Sequence, residues 1–134
     1  MTVLRSERVL IRPMTTDDVP RLAAIQAQPG VAAAWGEPEP EKLEGKAAGT
    51  DECTVFAVEL AGEVVGLIQY HEEDDPMYRH AGIDIFLSEN VHGQGLGSEA
   101  VRTMAEYLIH ERGHHRLVID PAAHNTAAIR AYEK

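Results

Sequence analysis

Cysteine occurs once, at Cys53, so no disulfide can close within the chain. A single cysteine of this kind reads as a small buried hydrophobe rather than a nucleophile. No apolar run approaches the length that crosses a bilayer, and the opening MTVLRSERVL lacks the basic-then-apolar pattern of a secretion signal. These absences predict a cytoplasmic protein with no membrane partner. Positive charge is scarce. Twelve Lys and Arg stand against 22 Asp and Glu, a formal net charge of −10. Such a surface repels phosphate backbones and argues against a nucleic-acid partner. It attracts cations, which either serves solubility alone or suits a polycationic substrate. Internal repeats and low-complexity tracts are missing too.

What is present fits one globular domain over residues 1–134, at 44% hydrophobic and 25% charged residues. Residues 8–13 read as a strand that Pro13 ends. A helix starts at Thr16-Asp17-Asp18, with Val19, Leu22 and Ile25 as its stripe, and Pro29-Gly30 breaks it. Residues 36–51 read as a loop with a short helix over 41–48. Residues 54–60 and 63–70 predict a hairpin joined by Ala61-Gly62. HEEDDP (residues 71–76) predicts an acidic turn, and residues 82–87 a further strand. Ala100, Val101, Met104, Ala105, Leu108 and Ile109 recur at helical spacing over 99–112, and Gly113 stops that helix. Residues 116–120 predict a strand and 125–134 a last helix. The order gives a mixed α/β fold with a parallel pair around the 99–112 helix.

The stretch His92-Gly-Gln-Gly-Leu-Gly-Ser98 holds three alternating glycines just before that helix. Glycines there let backbone N–H groups converge, and the helix N-terminus adds partial positive charge, so an anion site needs no lysine. A plain tight turn explains the spacing equally well. A P-loop is excluded, because no Gly-Lys-Ser or Gly-Lys-Thr occurs. Gly95, Gly97 and Ala100 match a dinucleotide fingerprint, with Asp120 twenty residues on. The context opposes it, since residues 88–92 separate the strand from the first glycine and a hairpin lies upstream.

The same stretch resembles the cofactor loop of the GNAT superfamily of N-acetyltransferases, whose pattern is Gln or Arg, two residues, Gly, one residue, then Gly or Ala. Gly95 and Gly97 match, and His92 stands where Gln or Arg is usual. More narrowly, Gly82-Ile-Asp84, Ile119-Asp-Pro121 and the run NTAAIRAYEK (residues 125–134) resemble aminoglycoside 6'-N-acetyltransferases. Trp35-Gly36-Glu37 sits where that subfamily has a tryptophan-rich substrate segment. The resemblance implies a GNAT-like acyl-CoA N-acyltransferase fold that uses acetyl-CoA as co-substrate. It also implies that two further strands normally follow the Tyr-Glu-Lys helix, so the chain is expected to lack them. The bare sheet edge left behind invites association, and a monomer or a homodimer is expected.

The resemblance assigns roles. His92, Gly93, Gln94, Gly95, Leu96, Gly97 and Ser98 would hold the pyrophosphate. The strand 83–87 would splay from its neighbour, so that backbone groups of Phe86 and Leu87 pair with the pantetheine arm. Asn125 would contact pantetheine or phosphate, though it serves equally as a helix cap. Tyr132 would be the general acid that protonates the departing thiolate. Asp84 stands out on its own terms. It interrupts an apolar strand, so it faces solvent, a partner or a cleft, and it is read as holding the substrate ammonium and passing its proton on. Asp120 would add a second carboxylate, or cap a turn. Trp35, Glu37 and Glu72 are expected to line the acceptor side, although a core tryptophan and solvated acids explain them as well. Seven histidines invite a metal reading, yet His110 and His114 flank a helix stop and no carboxylate or Cys lies at ligand spacing, so none is expected. The small cationic acceptor is read as an aminoglycoside. Protein, amino-acid or polyamine amines, or a non-catalytic acyl-CoA-binding domain, are the alternatives.

Overall fold

The run Val-Val-Gly-Leu-Ile-Gln-Tyr at residues 64–70 does not alternate as a one-sided strand would, because both its faces are covered. The computed structural model describes residues 2–51, 53–73, 80–114 and 116–119. Its sheet runs β1 (Leu4–Arg5), β2 (Val9–Pro13), β3 (Thr54–Leu60), β4 (Glu63–Glu73), β5 (His80–Leu87) and β6 (Leu117–Ile119), in that spatial order. Pairing is antiparallel from β1 to β5 and parallel between β5 and β6. Three helices, α1 (Val19–Gln26), α2 (Pro29–Trp35) and α3 (Pro40–Ala48), fall between β2 and β3 in sequence, and α4 (Leu96–His110) links the parallel pair. This is the mixed α/β fold the pattern predicts.

The sheet separates two cores. Ile11, Phe56, Ile68, Tyr70, Ile83 and Ile85 pack on one face with Val101, Met104 and Leu108 of α4. Val55, Leu67 and Phe86 pack on the other with Leu22, Ile25, Val31 and Leu43 of α1–α3. Side chains alternate along a strand, so β5 sends Ile83 and Ile85 toward α4, and Asp84 and Phe86 toward α1–α3. Each fully buried Leu or Ile contributes about 2 kcal/mol.

Several elements depart from expectation. Pro29 does end α1, yet it also opens α2 as its first residue, where its missing N–H costs nothing. His71, Glu72 and Glu73 continue β4 rather than turning, because they pair with Gly82, Ala81 and His80. Helix α4 starts three residues early, inside the glycine run. Ile109 is 37% exposed and lies off the buried stripe. The short β1 carries no sequence signal of its own.

Buried Asp18 is held by Arg12, which donates to both carboxylate oxygens at 2.8 Å, and by the Thr15 amide at 2.8 Å. Burial opposes ionisation of Asp18, but those donors outweigh it and hold the carboxyl below its ordinary value of 3.8. A depressed carboxyl stabilises the fold above that value, and the contribution is lost as pH falls through the folded-state value. Acid titration of unfolding should show Asp18→Asn about 2 kcal/mol less stable at neutral pH, with a flatter loss below pH about 4. The β3–β4 turn places Ala61 at φ 52° and Gly62 at φ 86°. Two positive φ values suit Asn-Gly, and Ala strains there. Ala61→Asn should raise stability by about 1 kcal/mol in thermal denaturation.

Candidate active site

The parallel pairing of β5 with β6 covers Ala81, Gly82 and Ile83. Among the described residues nothing pairs with that edge of β5 from Asp84 onward. The strand then runs through Ser88 and a 3-10 turn at Glu89–Val91 into the glycine run. Gly93 (φ 79°) and Gly95 (φ 76°) both take the left-handed region. Gly95 is the N-cap of α4, and no side chain caps the helix. The first intrahelical acceptor is the Gly95 carbonyl, bonded by the Glu99 amide at 3.1 Å. The N–H groups of Leu96, Gly97 and Ser98 thus precede the helix's own ladder. They form, with the helix dipole, an anion cradle at the open end of β5.

Arg8, in the β1–β2 turn, fixes this start. Its guanidinium donates to the Gln94 carbonyl at 2.8 Å and to Glu99 at 2.7 Å, and its amide donates to Glu99 at 2.7 Å. The Ser6 hydroxyl also donates to Glu99. Burial opposes the charge on Glu99, but the Ser6 and Arg8 donors outweigh it and hold the carboxyl below its usual range. With Glu99 satisfied this way, an acid in the first turn of α4 does not occupy the cradle. Pairing between residues 91 positions apart leaves no mark on the sequence pattern, so nothing in that pattern points to Arg8 and Glu99.

His92 is exposed, and its Nε2 donates to the Leu87 carbonyl at 2.9 Å. In the neutral ring Nδ1 is then an acceptor. His92 therefore offers a phosphate a second N–H only when protonated. The Leu87 carbonyl is likewise already used. Gln94 contributes backbone; its side chain reaches the Asn90 carbonyl at 3.5 Å, a weak contact.

On the α1–α3 side, Trp35 meets Phe86 edge-on, with centroids 4.9 Å apart and planes at 77°. Both line a cavity of about 140 Å³ with Glu37, Glu39, Lys42, Leu43 and Lys46. Its lysines are paired within the chain, Lys42 with Glu39 at 2.8 Å and Lys46 with Asp51 at 3.3 Å. Asp84 is half-buried beside it. Gln69 Nε2 donates to Asp84 at 3.4 Å, and Gln69 Oε1 accepts from Lys46 at 2.8 Å. Cys53 is free and half-buried rather than buried, and burial, then Asp51, pushes its thiol up.

The structure brings Trp35, Glu37, Asp84 and Phe86 to one face, with the glycine turn at the end of the same strand. It takes Glu72 away. Glu72 shares its face with Ile68 and Tyr70, on the α4 side, where it accepts from Arg112 at 2.8 Å and from His114 at 2.6 Å. Arg112 lowers the Glu72 carboxyl most, ahead of the opposing effect of burial. The correction has a simple cause: once residues 71–73 extend β4, strand alternation sends Glu72 to the opposite side from Asp84. Tyr132, Asn125 and Asp120 lie outside the described residues, as do Asp74 and Asp75. Among the described residues no three His, Cys, Asp or Glu side chains are grouped to hold a metal, and no helix is long and apolar enough to cross a membrane.

The family model of the acetyltransferase (GNAT) domain matches residues 8–134. Aminoglycoside N(6')-acetyltransferase type 1 of Klebsiella pneumoniae is 28% identical over 149 residues, covering 96% of this chain and 73% of that protein. The crystal structure of aminoglycoside acetyltransferase AAC(6')-Ib with coenzyme A and kanamycin superposes with a TM-score of 0.75 at 26% identity, covering 93% of this chain and 81% of that one. The ribosomal L7/L12 α-N-protein acetyltransferase solved with coenzyme A reaches a TM-score of 0.77 at 18% identity, covering 98% and 83%, and so shares the fold.

A Cβ at Gly95 meets Arg8 at 3.5 Å, an ordinary contact, so the obstacle to substitution is φ rather than space. Gly95→Val should therefore twist the amides of residues 96–98 out of line. Titration calorimetry with coenzyme A should show at least about a tenfold loss of affinity, while circular dichroism stays as in the unaltered protein.

Proposed function

We propose that this chain, which belongs to the GNAT acetyltransferase family, is an acetyl-CoA-dependent N-acetyltransferase that acts on a primary amine of a small cationic acceptor, an aminoglycoside 6'-amine. The observation that supports it is one strand, β5, joining two chemistries. Asp84 lies on its α1–α3 face with Phe86, which lines a cavity with Trp35, two glutamates and two lysines, and the amide cradle of α4 opens from its end.

Acetyl-CoA, when bound, supplies a thioester carbonyl to the amine. The remaining steps belong to residues of this chain. The amides of Leu96, Gly97 and Ser98 hold diphosphate. Beyond Ile83 no described residue pairs with that edge of β5, and an extended arm would lie along the strand there. An amine arrives mostly protonated at neutral pH and attacks only after losing that proton. Asp84 holds the ammonium and takes the proton, directly or through water. As the carbon–sulfur bond breaks and the amide bond forms, the thiolate needs a proton, and Tyr132 is the residue proposed to give it, on the family resemblance of its segment.

Three features support a polyamine sugar as acceptor. The net charge of −10 attracts it. Trp35 offers a face for a ring, and Glu37 an exposed carboxylate beside it. The lysines of the cavity are balanced by Glu39 and Asp51. A cavity of 140 Å³ takes part of such a molecule, so its other rings would lie outside.

A thiol-release assay with acetyl-CoA should give turnover with kanamycin well above that with a peptide α-amine, an amino acid or spermidine. Turnover with another member of that panel instead would keep the transferase and move its acceptor, and coenzyme A binding without any turnover would leave only a binding domain. Tyr132→Phe should lower kcat by about a hundredfold with coenzyme A affinity nearly unchanged. Equal loss of both would remove Tyr132 from the acid role.

A further inference from the structure

Two residues with no part in the proposed proton transfers, Lys46 of α3 and Gln69 of β4, form a hydrogen-bonded chain that ends on Asp84. Gln69 is its cross-strand partner in the β4–β5 register. It is 7% exposed, so its amide is cut off from water and must be satisfied by protein. Above it lies Lys46 of α3, whose ammonium only donates. Below it lies Asp84, whose carboxylate only accepts. Those neighbours dictate the amide's orientation: Oε1 toward Lys46 at 2.8 Å, Nε2 toward Asp84 at 3.4 Å. Lys46 is itself held by Asp51 at 3.3 Å, and Asp51 by the Cys53 amide at 2.8 Å.

We infer that Lys46 and Gln69 are positioning residues for Asp84. Lys46 locks the Gln69 amide so that its N–H tethers Oδ2 of Asp84, leaving the other oxygen for the acceptor amine. This rests on the proposed role of Asp84. Lys46 sets its ammonium behind the Gln69 amide without touching Asp84. The ammonium of Lys46 is tied to Asp51 and Gln69, so it does not simply repel an incoming cation. The other ionisable groups toward this face include Glu37, Glu39 and Lys42 of the cavity, Asp51 and Cys53 before β3, and His71 and His80, whose rings meet edge-on near Gly82.

Gln is the residue this place requires. Glu would set a carboxylate against Asp84, and an apolar residue would leave the Lys46 ammonium short of a partner.

The test uses four variants and two readouts. The first is the side-chain amide resonance pair of Gln69 in the free protein, identified by its loss in Gln69→Ala. It should move in Lys46→Met and in Asp84→Asn, and stay close to its original position in Lys46→Arg. The second is kcat set against KM, with kanamycin and acetyl-CoA. Lys46→Met should lower kcat about tenfold, with the KM for acetyl-CoA within about twofold of the original. Lys46→Arg should restore most of the rate. An amide pair unmoved in Lys46→Met and Asp84→Asn overturns the inference whether or not kanamycin is a substrate. So does an unchanged kcat in Lys46→Met when Asp84→Asn is inactive; that result leaves the Asp84 role standing. Full turnover in Asp84→Asn removes the role and the inference together.

Discussion

Helix α4 begins at Leu96 because the backbone turns through left-handed φ at Gly93 and Gly95, and the position of that beginning organises the site. A start one turn later would leave the first free amides beyond the reach of β5's end. The turn alone does not hold itself in place. Arg8 pins the Gln94 carbonyl from one side and Glu99 from the other. An acid inside the first turn of a helix competes for the same N–H groups an anion uses. Here Ser6 and Arg8 absorb it, and the cradle stays open.

The same logic of occupied partners links the two arms of the site. Gln28, at the joint between α1 and α2, donates to Ser88 at 3.0 Å and accepts from the Glu89 amide at 2.7 Å. Glu89 in turn accepts from the Gly30 amide at 2.7 Å, at the start of α2. The helix that ends in Trp35 is thereby fastened to the segment that leads into the glycine turn. The helix that carries Trp35 and the segment before α4 thus share one set of hydrogen bonds.

Part of this architecture is legible in the residue pattern alone. The hairpin over 54–70 and the stripe of α4 follow from apolar spacing, because burying one face of an element requires that spacing. The short helix within 36–51 follows from the same kind of local signal. Asp84 is visible as a carboxylate inside an apolar strand. The site's supporting residues are not. Arg8 with Glu99, Gln69 with Lys46 and Gln28 with Glu89 each join distant parts of the chain, and no local period records such a pair. Glu72 departs from its expected place for a related reason: its role turns on whether residues 71–73 bend or continue. Pairing with His80–Gly82, not local propensity, decides that they continue.

By itself, then, the sequence determined the main element types, the apolar stripe of α4, and the glycine run that can bare backbone amides, since each depends on residues near one another. Only the tertiary structure decided which face each acid takes and which charges are already spent on partners. Those outcomes depend on strand register and on contacts between residues tens of positions apart, where a shift of one residue carries a side chain to the opposite face.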